Sequence, residues 1–175
     1  MSAATLQPGL YFISFGELLP FNPPGQPGEP IDIEGDIPDP KMVLWNLVPL
    51  HPVEVPGYRL TTVDNATYLC VCEEGDKASC INLQVVNSHA NRMALLRQCF
   101  VTTTRDEERA ATLVFEGPLN QSSQSYKIKL GEDRFMTLNR STHRPGRTGT
   151  VMAMPETGDD RYQVWSMVWS PPMAK

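Results

Sequence analysis

The chain has 175 residues, 41% of them hydrophobic and 20% charged, with a formal net charge of -5. That length supports one sizeable hydrophobic core and is short for two large domains, and a mildly acidic chain without a dense Lys/Arg cluster argues against a nucleic-acid partner. No stretch approaches the roughly 18 apolar residues of a membrane-spanning helix, and the opening MSAATLQPGLYFISFG lacks the basic-then-apolar layout of a secretory signal. The expectation is therefore one cytoplasmic domain covering residues 1–175.

In chain order, Gly9-Leu10-Tyr11-Phe12-Ile13 opens the first segment. Tyr11, Ile13 and Phe15 alternate with Leu10, Phe12 and Ser14, the period-2 spacing of a strand. Between Phe15 and Val43 stand Pro20, Pro23, Pro24, Pro27, Pro30, Pro38 and Pro40. Proline removes a ladder donor and restricts the residue before it. This stretch is expected to be mostly loop, with Ile31-Asp32-Ile33 as a short strand. The segment closes on the apolar run VLWNLVPL around Trp45.

Gly57-Tyr58-Arg59-Leu60 opens a second, longer segment. Tyr58, Leu60 and Thr62 alternate with Arg59 and Thr61. ATYLCVCEE, a GDKAS turn and CINLQVV follow, then ANRMALLRQC, which has room for a helical turn or two, and CFVTTT, which reads as strand. The closing run is ATLVFEGPL around Phe115. Cys70 and Cys72 share a face if their segment is a strand, but Cys-x-Cys is poor zinc spacing. A chain of this length does not need disulfide staples. Cys70, Cys72, Cys80 and Cys99 are therefore read as core thiols, with a disulfide as the alternative and no metal expected.

Ser125-Tyr126-Lys127-Ile128 opens the third segment. Tyr126, Ile128 and Leu130 alternate with Lys127 and Lys129, and the two lysines are expected to face water. A turn at Gly131-Glu132-Asp133, the strand RFMTL, a polar loop from Asn139 to Gly149, the strand TVMAM, the turn PETGDD and the closing YQVWSMVW around Trp165 complete four short strands. The basic residues Arg134, Arg140, His143, Arg144 and Arg147 are sparse and read as a solvated loop. Asn65, Asn120 and Asn139 each begin an Asn-x-Ser/Thr triplet, silent without a secretory route.

The segments, at about residues 9–50, 57–118 and 125–170, thus open and close alike but are unequally spaced. Unequal spacing excludes a short-period solenoid. It fits a closed sheet in which each unit gives the same few strands and carries variable loops, and closure removes exposed edges. A β-sandwich is the alternative.

Three four-strand units that each open on Tyr-x-Ile/Leu, two of them closing around Trp, resemble a β-trefoil. The resemblance spans about residues 8–170 and implies an all-β fold of twelve short strands, a six-stranded barrel capped by three hairpins. Tyr11, Leu60 and Ile128, with Trp45, Phe115 and Trp165, would line the barrel or its caps. Within the trefoils, GLYFIS followed by FNPPGQPGE resembles the mycocypins, mushroom inhibitors of papain-like cysteine proteases. Gly25 and Gly28 are separated here by Gln26-Pro27, where that family pairs its glycines. The resemblance implies a first protease-binding loop at Asn22, Pro23, Pro24, Gly25, Gln26, Pro27 and Gly28, and a second wedge around Asp36, Pro38 and Asp39. It also implies a site for asparaginyl endopeptidase at Asn65, although an Asx turn explains the same Asp64-Asn65-Ala66 text.

The physical logic of such a wedge is independent of pedigree. Prolines lower the entropy lost on docking, and glycines let backbone approach a cleft without a Cβ. No catalytic group, cofactor or metal is required. His51, His89 and His143 fall in different units without catalytic spacing, so an enzyme is not expected. Two other readings stay open. A trypsin-like serine protease inhibitor would present Arg140, Arg144, Arg147 or Lys41. A ricin-B-like lectin would use Gln163-Val164-Trp165 with Asp159 or Asp160 and Tyr162. A monomer is expected.

Overall fold

Among the described residues, alternating apolar residues bounded by Gly and Pro become twelve short strands. The computed structural model describes residues 3–16, 19–34, 43–50, 57–72, 99–119, 124–131, 133–140, 147–157 and 160–171. The strands are β1 (Gly9–Phe15), β2 (Leu19–Pro20), β3 (Asp32–Glu34), β4 (Leu44–Pro49), β5 (Tyr58–Thr62), β6 (Tyr68–Cys72), β7 (Cys99–Thr104), β8 (Leu113–Glu116), β9 (Ser125–Leu130), β10 (Arg134–Asn139), β11 (Arg147–Met154) and β12 (Val164–Ser170). CFVTTT is a strand, as its β-branched residues predict. The CINLQVV and ANRMALLRQC stretches lie outside the described residues.

Among the described residues, the strand pairings are antiparallel. Nine strands close on themselves in the order β10, β11, β7, β6, β5, β4, β1, β12, β9 and back to β10. Strand β8 pairs with both β5 and β9. The strands β1, β4, β5, β8, β9 and β12 therefore make a shorter closed circuit within the sheet. Strands β2 and β3 lie off the main path, on β1 and β11.

The repeated residues fill the inside of this sheet. Leu60, Ile128, Trp45, Phe115 and Trp165 are fully buried, and Tyr11 nearly so. The core is aromatic at both ends. Phe21 stacks on Trp45 with centroids 5.3 Å apart and meets Trp165 edge-on at 5.5 Å. At the other end Phe115 takes edge contacts from Tyr58 at 5.5 Å and Tyr126 at 6.3 Å. Such pairs add about 0.5–1.5 kcal/mol beyond area burial.

The three opening tyrosines converge at that second end. The Tyr11 phenol is held above its usual pKa by burial first, then by the nearby Tyr126 and Tyr58. The N-terminal segment closes over them: Tyr11 Oη donates to Gln7 O at 2.7 Å, and Leu6 N donates to Tyr58 Oη at 2.7 Å. Away from them, one buried β-branched residue per segment meets its counterparts through main-chain bonds. Ile31 N donates to Val101 O at 3.0 Å and Val151 N to Ile31 O at 2.8 Å.

Two expectations need correction. Lys127 does not face water: its side chain is 1% exposed, and Nζ donates to Glu156 Oε1 at 2.7 Å. Strand alternation aims it outward, but on that outer face it meets Phe135 of β10, whose ring centroid lies 5.9 Å from Nζ, and the carboxylate of Glu156. Lys129, on the same face, is only half-buried. The cysteines also divide: Cys70 and Cys99 are buried reduced thiols, whereas Cys72 is disulfide-bonded.

Candidate functional site

The Pro/Gly loop is built on the aromatic residue that immediately precedes it. Phe21 enters the core and is fully buried. Its N–H donates to Ile13 O at 2.8 Å, and its carbonyl accepts from Trp45 Nε1 at 2.6 Å. The closing Trp of the segment thus holds the base of the loop as well as filling the core. Trp165 does the same work in the third segment, donating from Nε1 to Met136 O at 2.7 Å.

From that base the loop is fastened on both sides. Asn22 Oδ1 accepts from Val43 N at 3.1 Å, tying the outgoing arm to the start of β4. The returning arm lies on β7: Gly28 N donates to Thr103 O at 2.9 Å, Thr102 Oγ1 donates to Glu29 O at 2.5 Å, and Ile31 N reaches Val101 O. Gly28 is buried with φ +90°, a backbone region that excludes ordinary side chains, so a glycine is required there. Between the arms the chain turns back on itself. Gln26 O accepts from Glu29 N at 3.2 Å, and Gln26 N donates to Glu29 Oε2 at 3.1 Å. Gly25 and Gln26 are exposed at the tip, flanked by half-buried Pro24 and Pro27.

The structure therefore gathers Asn22 to Gly28 into one doubly anchored loop with Gly25 and Gln26 exposed. Asp36, Pro38 and Asp39 lie outside the described residues. Asn65 belongs to an exposed turn joining β5 and β6 and has φ +54°, the left-handed region that Asn tolerates. Its N–H donates to Thr62 O at 2.8 Å, and its Oδ1 accepts from Thr61 Oγ1 at 2.8 Å and from Asn46 Nδ2 at 3.1 Å. Asp64 Oδ1 accepts from Thr62 Oγ1 at 2.6 Å and from Ala66 N at 3.1 Å. These bonds hold the Asp64 carboxyl below its ordinary pKa, the Thr62 bond contributing most.

The residues of the other readings are placed as follows. Arg140 is exposed, its guanidinium carbon 5.5 Å from the Tyr162 ring centroid, and Arg161 lies 5.9 Å from the same centroid. Lys41, Arg144 and Asp159 lie outside the described residues, as do the three histidines. Asp160 and Tyr162 share a short 3₁₀ turn just before β12, and Arg147 begins β11. Gln163 is fully buried and spends its side chain internally: Oε1 accepts from Thr157 N, while Nε2 donates to Thr137 Oγ1 and to Pro155 O. Its bonds brace the turn before β12. Among the described residues, no three His, Cys, Asp or Glu side chains cluster to hold a metal.

Sequence reasoning missed Phe21, Val43, Thr102 and Thr103, the residues that fasten the loop. Only the aromatic immediately before Asn22 carried a local signal; the others act from distant segments. Compared with known families and with curated proteins, the chain matches no family model and no curated relative.

Proposed function

We propose that this chain is a β-trefoil inhibitor of papain-like cysteine proteases, acting by reversible occlusion of the active-site cleft with the loop from Asn22 to Gly28. One observation carries the reading: the loop is fastened at Asn22 and again at Gly28 and Glu29, leaving Gly25 and Gln26 exposed at the tip. A protease cleft binds extended backbone, and a loop already held in place loses little entropy on docking. The exposed glycine permits close backbone approach. No group of the inhibitor takes part in chemistry. The trefoil assignment is supported by the six-strand circuit of β1, β4, β5, β8, β9 and β12, and by the meetings of one equivalent residue per segment: Tyr11, Tyr58 and Tyr126 at one place, Ile31, Val101 and Val151 at another.

In this reading Asn65 is a second contact, for asparaginyl endopeptidase. Its engagement costs two local bonds, since Oδ1 must leave Asn46 and Thr61 for the enzyme's pocket. The test is a parallel inhibition panel of papain, an asparaginyl endopeptidase and trypsin. Papain is inhibited reversibly, and replacing Pro24 with Glu and Gly25 with Arg together weakens inhibition more than tenfold (about 1.4 kcal/mol) with the fold intact. Full activity of all three enzymes at micromolar protein refutes the inhibitor reading.

A further inference from the structure

Residues 3–8 run ahead of β1 as a detached piece of extended chain. Ala4 and Leu6 pack against the core, while Ala3, Thr5 and Gln7 are exposed, the period-2 layout of a strand. Ala3 bridges Glu116 in the antiparallel sense, and Ala4 N donates to Phe115 O at 2.6 Å. Strand β5 meets β8 at Tyr58 and Leu113 alone. The segment therefore takes up the edge of β8 that β5 leaves open beyond Leu113.

Farther along, phenols stand where a neighbouring strand would be. Tyr58 Oη accepts from Leu6 N at 2.7 Å and donates to Leu6 O at 3.1 Å, serving both main-chain groups of one residue as a ladder partner does. Tyr11 Oη donates to Gln7 O at 2.7 Å. All of these bonds go to the main chain of the segment. Residues 3–8 are thus held as a peptide is held on a sheet edge, by main-chain bonds with alternate side chains inserted.

The tether to β1 is short and carries a hinge. Gly9 has φ +139°, a conformation that L side chains rarely adopt, at the point where β1 begins. Returning that one residue to ordinary extended backbone swings residues 3–8 off their own groove and into line with β1. Pro8 keeps Gln7 extended in either arrangement.

We propose that residues 3–8 exchange between two copies of this chain, each segment seating in the other's groove between β8 and Tyr58, with Gly9 as the hinge. The occupant follows from what the groove already holds: the sequence that fits it is the chain's own, and every copy carries it. Exchange remakes the same contacts in trans, which makes it a low-cost route to a dimer, and the open hinge gives up the positive φ of Gly9. Within one copy a short tether keeps the segment at an effective concentration in the mM range. The closed monomer therefore dominates in dilute protein, and exchange emerges in concentrated protein. This inference is independent of the proposed inhibitor function.

The test is to refold the full chain from urea at about 1 mM, near that effective concentration, and to size the products by chromatography with light scattering. The expected result is a dimer that falls severalfold when an end-capped peptide of residues 3–8 is present in large excess during refolding. The same dimer should rise about tenfold or more in Gly9→Ala. There the closed form places a Cβ at positive φ, 3.1 Å from Trp169 Nε1, whereas an extended hinge accepts alanine. A dimer that the peptide leaves unchanged is a contact of another kind and overturns the exchange. Monomer alone in the parent chain and in Gly9→Ala overturns it as well. Should Gly9→Ala fail to refold, the parent chain with and without peptide decides by itself.

Discussion

The buried Lys127 offers a sharp test of how this sheet is stabilised. Its ammonium and the Glu156 carboxylate lie 2.7 Å apart, but Lys127 is 1% exposed and Glu156 58% exposed. At an effective dielectric constant near 20 the gross attraction is about 6 kcal/mol. Desolvating the ammonium costs several kcal/mol, and water around Glu156 screens the attraction further. The two sides nearly cancel, so the charge itself contributes little net stability. Lys127→Met keeps a long flexible stem against Phe135, removes the desolvation cost and leaves Glu156 in water. Its unfolding free energy should lie within about 1 kcal/mol of the parent. Glu156→Gln keeps the ammonium buried while deleting its anionic neighbour, and should cost about 2 kcal/mol, discounted from the full buried-pair value because Glu156 is largely solvated. Urea denaturation reads both as midpoint shifts at constant slope. If Lys127→Met loses more than 3 kcal/mol while Glu156→Gln is neutral, the cancellation argument is wrong.

Other perturbations reach the remaining parts of the structure. Trp45→Phe keeps an aromatic ring against Phe21 but orphans the Phe21 carbonyl, and should cost about 2 kcal/mol by thermal unfolding; an unchanged midpoint contradicts the role given to the indole N–H. Gln163→Leu leaves the Thr157 N–H without its acceptor and two further groups without their donor, and should cost about 2–4 kcal/mol. Binding of a sugar that disappears in that variant at full stability would restore a ligand role for Gln163. Burial raises the phenol pKa of Tyr11 and Tyr126 above 10.0. Their folded pKa exceeds the unfolded value, so the neutral forms are favoured in the fold. Stability present below pH 10 is therefore lost as pH rises toward the folded pKa. Tyr11→Phe should flatten that alkaline loss, measured as the unfolding midpoint between pH 9 and pH 11. For Asp64 the sign is opposite: its lowered pKa means the Thr62–Thr67 turn loosens as pH falls below about 3.8, seen as faster exchange at Ala66.

Much of the fold was legible along the chain because strand formation is local. Alternation in GLYFISF and SYKIKL, and glycines and prolines between apolar runs, located β1 and β9 and marked the Pro-rich stretch as loop. The same locality explains the failure at Lys127. Alternation assigns a residue to a face of its strand; it does not say whether another hairpin covers that face. Phe135 and Glu156 meet Lys127 there. Cysteine spacing likewise carried no record of which thiol is oxidised, because that depends on which sulfurs the fold brings together.

The candidate loop divides in the same way. Pro23, Pro24, Gly25, Pro27 and Gly28 restrict or free their own dihedrals, so a loop at this position follows from the residues alone. Its anchorage does not. That comes from Phe21 packed against Trp45 and Trp165, from Val43 on Asn22, and from Thr102 and Thr103 bonded to Glu29 and Gly28. These contacts join residues tens of positions apart, and only closure of the sheet sets them side by side. Backbone preference is a property of each residue and its neighbours; anchorage and burial belong to the folded chain.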